Sequence, residues 1–380
     1  MNAVYDPGVP SNLNSGIDPR RPVAPRFHPD LPDQGPFALW TFNGTLPPKL
    51  MIGRYGEPIL FRHHNRLPAD PNQNRGFGIH TITTHEHNGH HGAENDGFTG
   101  AYFFPGQFYD YHYPVCHGGY TTINPNATDP RCGAPTTPAA SSRSRATGAR
   151  PKRDLSLSEA LSGASRDPCV GRFLEFRIVR DPARPDVSQV PDTLIPNPDL
   201  SAIPVAGERV FEFGRDATQT TGDPVSTFFG PWGIKVDGGE MLAADFGRIS
   251  GAPKYGTREI WTLKNGGGGW DHLIHIHFEE GQILARDGSA SKVPAWERGR
   301  KDVYRLRPGG SVTITLQFRD FCGMFMEHCH NTTHEDNAML LRWEIDDGGG
   351  AFLHALPTPI PTPQGVRFVN PTDVLPSAVR

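Results

Sequence analysis

Glycine and proline punctuate this chain so often that long helices have little room, since 43 glycines and 38 prolines fall within 380 residues. Together they make up roughly a fifth of the chain, against about 12% in average proteins, which favours short strands joined by tight turns. The text between the breaks alternates apolar and polar residues, as half-buried strands do. Such segments lie at residues 37–44, 58–65 and 80–87, the last closed by the turn pair Asn88-Gly89, and again at 173–179, 210–213, 259–263, 272–278, 302–306, 311–318 and 340–345. Short strands in this number predict an all-β fold, a sandwich or Greek-key barrel.

Composition excludes several function classes. The net charge of −4 carries no basic excess for nucleic acid. No apolar run approaches the ~20 residues of a membrane helix. The first residues lack the basic and apolar regions of a secretory signal; export to the periplasm or medium is nevertheless the expected localisation. Five cysteines, Cys116, Cys132, Cys169, Cys322 and Cys329, are too dispersed for a disulfide scaffold. At most one disulfide among the first three is expected, with the pairing open, and Cys322 reads as a small buried apolar group.

The organisation expected is an amino-terminal arm (1–36), a first β unit (37–130), an irregular segment (131–168), a second β unit (169–350) and a proline-rich tail (351–380). No aromatic residue occurs between Tyr120 and Phe173, and residues 135–153 are rich in Ser, Thr, Ala, Arg and Pro, a composition that cannot bury enough apolar surface to order itself. A short helix capped by Asp154 or Ser156 is expected near residues 155–161.

The histidines carry the chemistry. Of 17, nine lie between His63 and His117 and six between His272 and His334. In Glu327-His-Cys-His-Asn-Thr-Thr-His-Glu-Asp-Asn-Ala-Met339, strand alternation puts His328 and His330 on one face and Cys329 on the other, so one tripeptide can serve two metal sites. Cys329, His334 and Met339 offer a thiolate, an imidazole and a thioether, three parts of a His2Cys copper site with a weak axial Met. In Asp271-His-Leu-Ile-His-Ile-His277, His275 and His277 share a face and His272, three residues from His275, takes the opposite one. His272 can therefore join Cys329, while His275 and His277 join His328 and His330. In Thr84-His-Glu-His-Asn-Gly-His90, His85 and His87 share a face and can contribute from the first unit.

These motifs resemble three of the four copper motifs of the multicopper oxidases, in that family's chain order. Thr41-Phe-Asn-Gly-Thr-Leu-Pro-Pro and the stretch from Gly56 to Pro68 are similar to the opening strands of the family's first domain. Residues 102–114, 265–287 and 318–343 resemble a large bacterial branch that includes proteins assigned to manganese oxidation. The resemblance spans residues 37–130 and 168–365. It implies cupredoxin-like Greek-key β-sandwich domains and copper as cofactor. His272, Cys329, His334 and Met339 would hold a type 1 copper, and the Cys329 backbone would pass electrons to His328 and His330. His85 and His275 would bind a type 2 copper, and His87, His277, His328 and His330 a type 3 pair, with O2 reduced to water. The family's second His-x-His of the first domain has no counterpart between His87 and His275, so the chain reads as a family member with its middle removed and an incomplete cluster.

The expected partners are O2 and a one-electron donor, a phenolic molecule or a metal ion such as Mn(II) or Cu(I), with no nucleic acid and no membrane span; the oligomeric state is left open. The alternative is a non-catalytic blue-copper electron-transfer or copper-binding protein. A copper-sequestering role is disfavoured, because only Met324, Met326 and Met339 lie near the site. Among the remaining side chains, His112 and His117 are an odd five residues apart, so one strand cannot aim both at a cluster. His63 and His64 face opposite ways. His90 and His91 are candidates for supporting the ligands. Asp96 and Glu94 are candidates for proton steering, or else a solvated turn.

Overall fold

The computed structural model describes residues 57–68, 81–114, 197–215 and 232–348, together with Phe42, Met51 and Gly53 and without Phe246, Gly268, Asp320 and Asp336. The expectations for residues 37–41, 43–44 and 173–179, the helix at 155–161, the arm, the connector, the tail and Cys116, Cys132, Cys169 and His117 lie outside them.

The described residues are all-β, with one helix of four residues, α1 (Thr332–Glu335), and three short 3-10 turns. Toward the amino terminus, β1 (Ile59–His64) pairs antiparallel with β2 (Phe108–Tyr113). The alternation of β1 turns Phe61 and His63 inward and Arg62 and His64 outward. Beyond it, ten strands form two sheets. A six-stranded sheet runs in the order β4 (Trp232–Val236), β3 (Val205–Arg215), β5 (Arg258–Asn265), β10 (Ser311–Gln317), β7 (Gly281–Arg286), β8 (Arg300–Lys301). A four-stranded sheet runs β12 (Leu340–Ile345), β11 (Gly323–Cys329), β6 (His272–Ile276), β9 (Val303–Leu306). Their facing side chains make one core, which includes Phe211, Trp261, Ile274, Ile314, Phe325 and Trp343. This is the two-sheet β-sandwich that the sequence predicts. Trp261 and Trp343 meet edge to face across it, with ring centroids 5.4 Å apart, a favoured aromatic geometry.

Every residue of β11 is buried, because both of its faces are covered. Phe325 and Cys329 face the sandwich core. On the opposite face Met324 and Met326 pack against Phe98, so the segment between β1 and β2 lies on the outer face of the four-stranded sheet.

One strand expectation fails. Residues 80–87 do not form a ladder: His80 lies outside the described residues, and only Ile82 makes an isolated bridge, to Phe103. Side chains take the place of a neighbouring strand here, for the Thr84 amide donates to the Tyr111 hydroxyl at 2.8 Å. Gly97 then has to pass close to this segment. Its φ is +77°, and a Cβ there would stand 2.3 Å from the Thr84 carbonyl oxygen.

Replacing Ile314, wholly buried on β10, by alanine should cost about 2–5 kcal/mol, seen as a lower denaturant midpoint at unchanged slope. A loss below about 1 kcal/mol would place β10 outside the cooperative core.

Candidate metal centres

Two constellations stand on opposite faces of β6 and β11, as strand alternation requires. On the core side, Cys329 Sγ lies 3.4 Å from His334 Nδ1 and 3.7 Å from His272 Nδ1, and the two Nδ1 atoms are 3.0 Å apart. Cys329, His272, His334 and Met339 are each completely buried. The loop that carries His334 and Met339 is tied to its own strand: Met339 N–H donates to His334 O, and Cys329 N–H to Met339 O, at 3.0 and 3.1 Å. Trp232 packs on the His334 ring at 4.0 Å and Trp270 meets it edge-on at 5.4 Å.

Burial disfavours charge in this pocket. It lowers His272 and His334 to about 4 and raises the Cys329 thiol. Both imidazoles are therefore neutral at pH 7. Their Nε2 atoms are buried without a hydrogen-bond partner among the described residues, while both Nδ1 atoms converge on the sulfur. Two imidazoles, one sulfur and a nearby Met are the donor set that suits copper.

On the other face six imidazoles form three Nε2-to-Nε2 pairs: His85 with His275 at 3.1 Å, His277 with His328 at 3.2 Å, and His87 with His330 at 3.0 Å. Each pair joins two different motifs, so no two motifs alone assemble the site. Two oxygen-bearing residues orient four of the rings. The His277 Nδ1–H donates to the Asp96 carboxylate and the His85 Nδ1–H to the Asp96 carbonyl, both at 2.7 Å. Asp302 repeats the arrangement, its carboxylate accepting from His87 Nδ1 at 2.9 Å and its carbonyl from His275 Nδ1 at 3.0 Å. In the His85–His275 pair both Nδ1 atoms are protonated in this way, so the two Nε2 lone pairs face each other and repel. A cation between them removes the conflict, so these residues fit metal ions.

Electrostatics follow the same geometry. Burial, reinforced by neighbouring imidazoles, pushes His275 far below the usual imidazole range. Burial also lowers His277, to about 3, against the pull of Asp96. For His85 burial is the largest influence and acts downward, yet the hydrogen bonds and charge of Asp96 outweigh it and leave the ring raised. Asp96 is opposed by its own burial but held well below the carboxylate range by His277 and His85. Glu327 faces the core beside Cys329, and burial pushes it up to about 8.

Nine of the ten sequence-predicted site residues thus gather by their side chains in these two constellations, and the tenth, Met339, is buried and bonded through its backbone to Cys329 and His334. His85 and His87 do so from an irregular segment instead of a strand. Asp96 is buried, which removes the solvated-turn alternative. His112 is exposed on β2 and stands in neither constellation; His90 stacks on Phe278, and His91 lies against Tyr113. Sequence reasoning missed Asp302, Trp232 and Trp270. Asp302 has no histidine beside it in the chain, and only its place just before β9, opposite β6, brings it to the cluster.

Residues 226–349 match the family model described as multicopper oxidase. The bilirubin oxidase of Albifimbria verrucaria is 32% identical over 176 residues, covering 44% of this chain and 27% of that protein. A laccase of Haloferax volcanii is 31% identical over 194 residues, covering 49% of this chain and 30% of its own length. Among solved structures, a multi-copper oxidase from Pediococcus acidilactici is similar with 26% identity and a TM-score of 0.30, covering 46% of this chain and 31% of that one. The chain therefore spans less than a third of the length of each of these relatives.

The lowered folded-state values of His272 and His334 set a pH dependence. Unfolded imidazoles take up protons below about 6.5, whereas the folded ones resist until about 4, so the unfolded state binds more protons between these limits. The Tm of the metal-free protein should fall as pH drops through this window, and the double substitution His272→Gln, His334→Gln should flatten that fall. A profile of the same steepness in the variant would remove these two residues from the explanation.

Proposed function

From the match of residues 226–349 to the multicopper oxidase family model, we propose that this chain is a copper-dependent oxidase of that family, taking electrons singly from a donor at the Cys329 site and passing them to O2 at the six-histidine site. The observation that carries this reading is the junction of the two donor sets at the end of β11, where Cys329 of one set is joined through its own backbone to His328 and His330 of the other. Copper would supply the one-electron chemistry at the first site and the reduction of O2 to water at the second. Phenols, Mn(II) and Cu(I) are the proposed donor classes.

The chain's own groups have defined tasks. Cys329 would lose its proton on binding, because the thiolate is the ligand. Trp232 and Trp270 hold the His334 ring, and the buried pocket excludes water. Asp96 and Asp302 keep the Nδ1 protons of four imidazoles in place, which leaves the Nε2 atoms of His85, His87, His275 and His277 free to bind. The type 2 assignment falls on the His85–His275 pair, the type 3 assignments on the other two.

A second reading, a blue-copper protein without brisk O2 turnover, is favoured by one feature. Each pair supplies two imidazoles and, among the described residues, His112 does not approach as a third. His87 is 41% exposed and its partner His330 is also exposed, whereas His275, His277 and His328 are buried. Metal affinity rises with ligand number and with a dry surrounding, so the His87–His330 position should be the weakest.

Three tests follow from this site. Copper-loaded protein should show an intense thiolate-to-copper band that Cys329→Ser abolishes; a colourless copper-loaded protein would overturn the assignment. Met339→Leu should keep the colour and raise the reduction potential, since loss of a thioether donor stabilises the oxidised metal less. Metal analysis after dialysis should find copper lost first from the pair that His87→Ala removes. Three filled imidazole pairs with rapid O2 consumption would instead favour a complete oxidase.

A further inference from the structure

We propose that His90 is a positioning residue that latches the first His-x-His segment onto the strained turn following His277, and so aligns the rings of His85, His87, His275 and His277. The proposal rests on reading those four histidines as part of a metal site.

The turn is unusual. Phe278 has a φ of +71°, a region bulky side chains avoid, and the Glu279 N–H donates back to the His277 carbonyl at 3.0 Å, closing a three-residue turn. Such strain persists only where the surroundings hold it. Here the Phe278 ring is stacked between two others. Phe325 of β11 lies at 4.6 Å and 17° on one contact, and His90 at 5.1 Å and 20° on another. Phe321 meets both Phe278 and His90 edge-on or nearly so, at 5.7 and 5.5 Å. The His90 Nδ1 stands 3.5 Å from Arg319 Nη2, and the same guanidinium is paired with Glu279 at 3.0 Å. His90 thus touches residue 278 with its ring and approaches residue 279 through Arg319.

Its place in the chain gives the contact its consequence. His90 follows His87 by three residues, across a bend in which Asn88 has φ +59° and the Gly89 N–H donates to the Glu86 carbonyl. The stacking of His85 on His277, 3.6 Å between centroids and 21° between planes, joins the same two segments one turn away. Fixing His90 on Phe278 therefore fixes the register between the two motifs. His90 takes part in none of the three Nε2 pairs, so its role is exerted through the ring contact and not through ligation.

The test uses the full chain and two readouts. In metal-free protein, amide hydrogen exchange of residues 84–97 reports docking; after loading with Cu(II), metal analysis reports retention at the six histidines, with the Cys329 colour as an internal control of folding. His90→Ala should speed exchange by about tenfold and weaken copper retention at the cluster by about 10–100-fold, with the blue band unchanged. His90→Phe, which keeps a stacking ring and removes both nitrogens, should stay near wild type in both readouts. Phe278→Gly should resemble His90→Ala although it relieves the backbone strain. Wild-type behaviour in His90→Ala or in Phe278→Gly overturns the latch. Loss in His90→Phe as large as in His90→Ala overturns it in favour of a nitrogen ligand. If wild type retains no copper at the six histidines, the metal reading falls, and the exchange comparison still judges the latch.

Discussion

A strand with both faces buried needs two separate partners, and β11 finds them in the six-stranded sheet on one side and the segment between β1 and β2 on the other. Everything at the candidate site depends on this double covering. Because side chains alternate, Phe325, Glu327 and Cys329 go to the core, while Met324, Met326 and His328 go to the outer face. A one-residue slip in the pairing of β11 with β6 would exchange the two sets. The registers Glu327 with Ile276 and Cys329 with Ile274 forbid it, since they place Cys329 beside His272 and keep His328 opposite His275. The apolar core therefore does more than stabilise the sandwich. It fixes which side chains belong to which centre.

Gathering six imidazoles at van der Waals distance has an electrostatic cost that the chain meets in a regular way. Each of Asp96 and Asp302 serves one ring through its carboxylate and one through its carbonyl, and each serves one ring of the first motif and one of the second. Only two negative charges thus set the tautomer of four histidines. The carbonyl contacts matter as much as the carboxylates, because they orient a ring without adding charge to a buried region. Gly97 belongs to the same device: the close approach of its backbone to Thr84 brings the neighbouring Asp96 carbonyl within reach of His85.

Much of this was legible in the sequence, and the reason is periodicity. The His272, His275 and His277 spacing and the His328-Cys329-His330 tripeptide each divide between two faces by the period of two alone, so the two centres could be assigned before any contact was known. Strands such as β10 and β12 could be read for the same reason. Position in the fold is what could not be read. Asp302 reaches the cluster from the residue just before β9, and nothing local marks it. The paired strand expected over residues 80–87 fails because alternation of side chains does not guarantee a neighbour to pair with; the Tyr111 hydroxyl fills that place. Phe278 is invisible to pattern reasoning, since a bulky residue at positive φ contradicts its local preference and is held by tertiary stacking.

The symmetry of the imidazole pairs bears on how completely such a site can work. Three segments taken two at a time give three combinations, and the three pairs use each combination once. Every segment is therefore needed twice. A third imidazole nevertheless lies close in two places, since one ring nitrogen each of His85, His87 and His275, and of His275, His277 and His328, fall within 4.8 Å of one another. Burial makes the three positions unequal. The His85–His275 and His277–His328 pairs each contain a ring that burial strongly discharges, which suits it to stay neutral and bind. The His87–His330 pair lies at the surface, where water competes for the same position. Exposure rather than ligand count thus distinguishes the three positions, and the surface pair is where the proposed oxidase and the proposed electron carrier diverge.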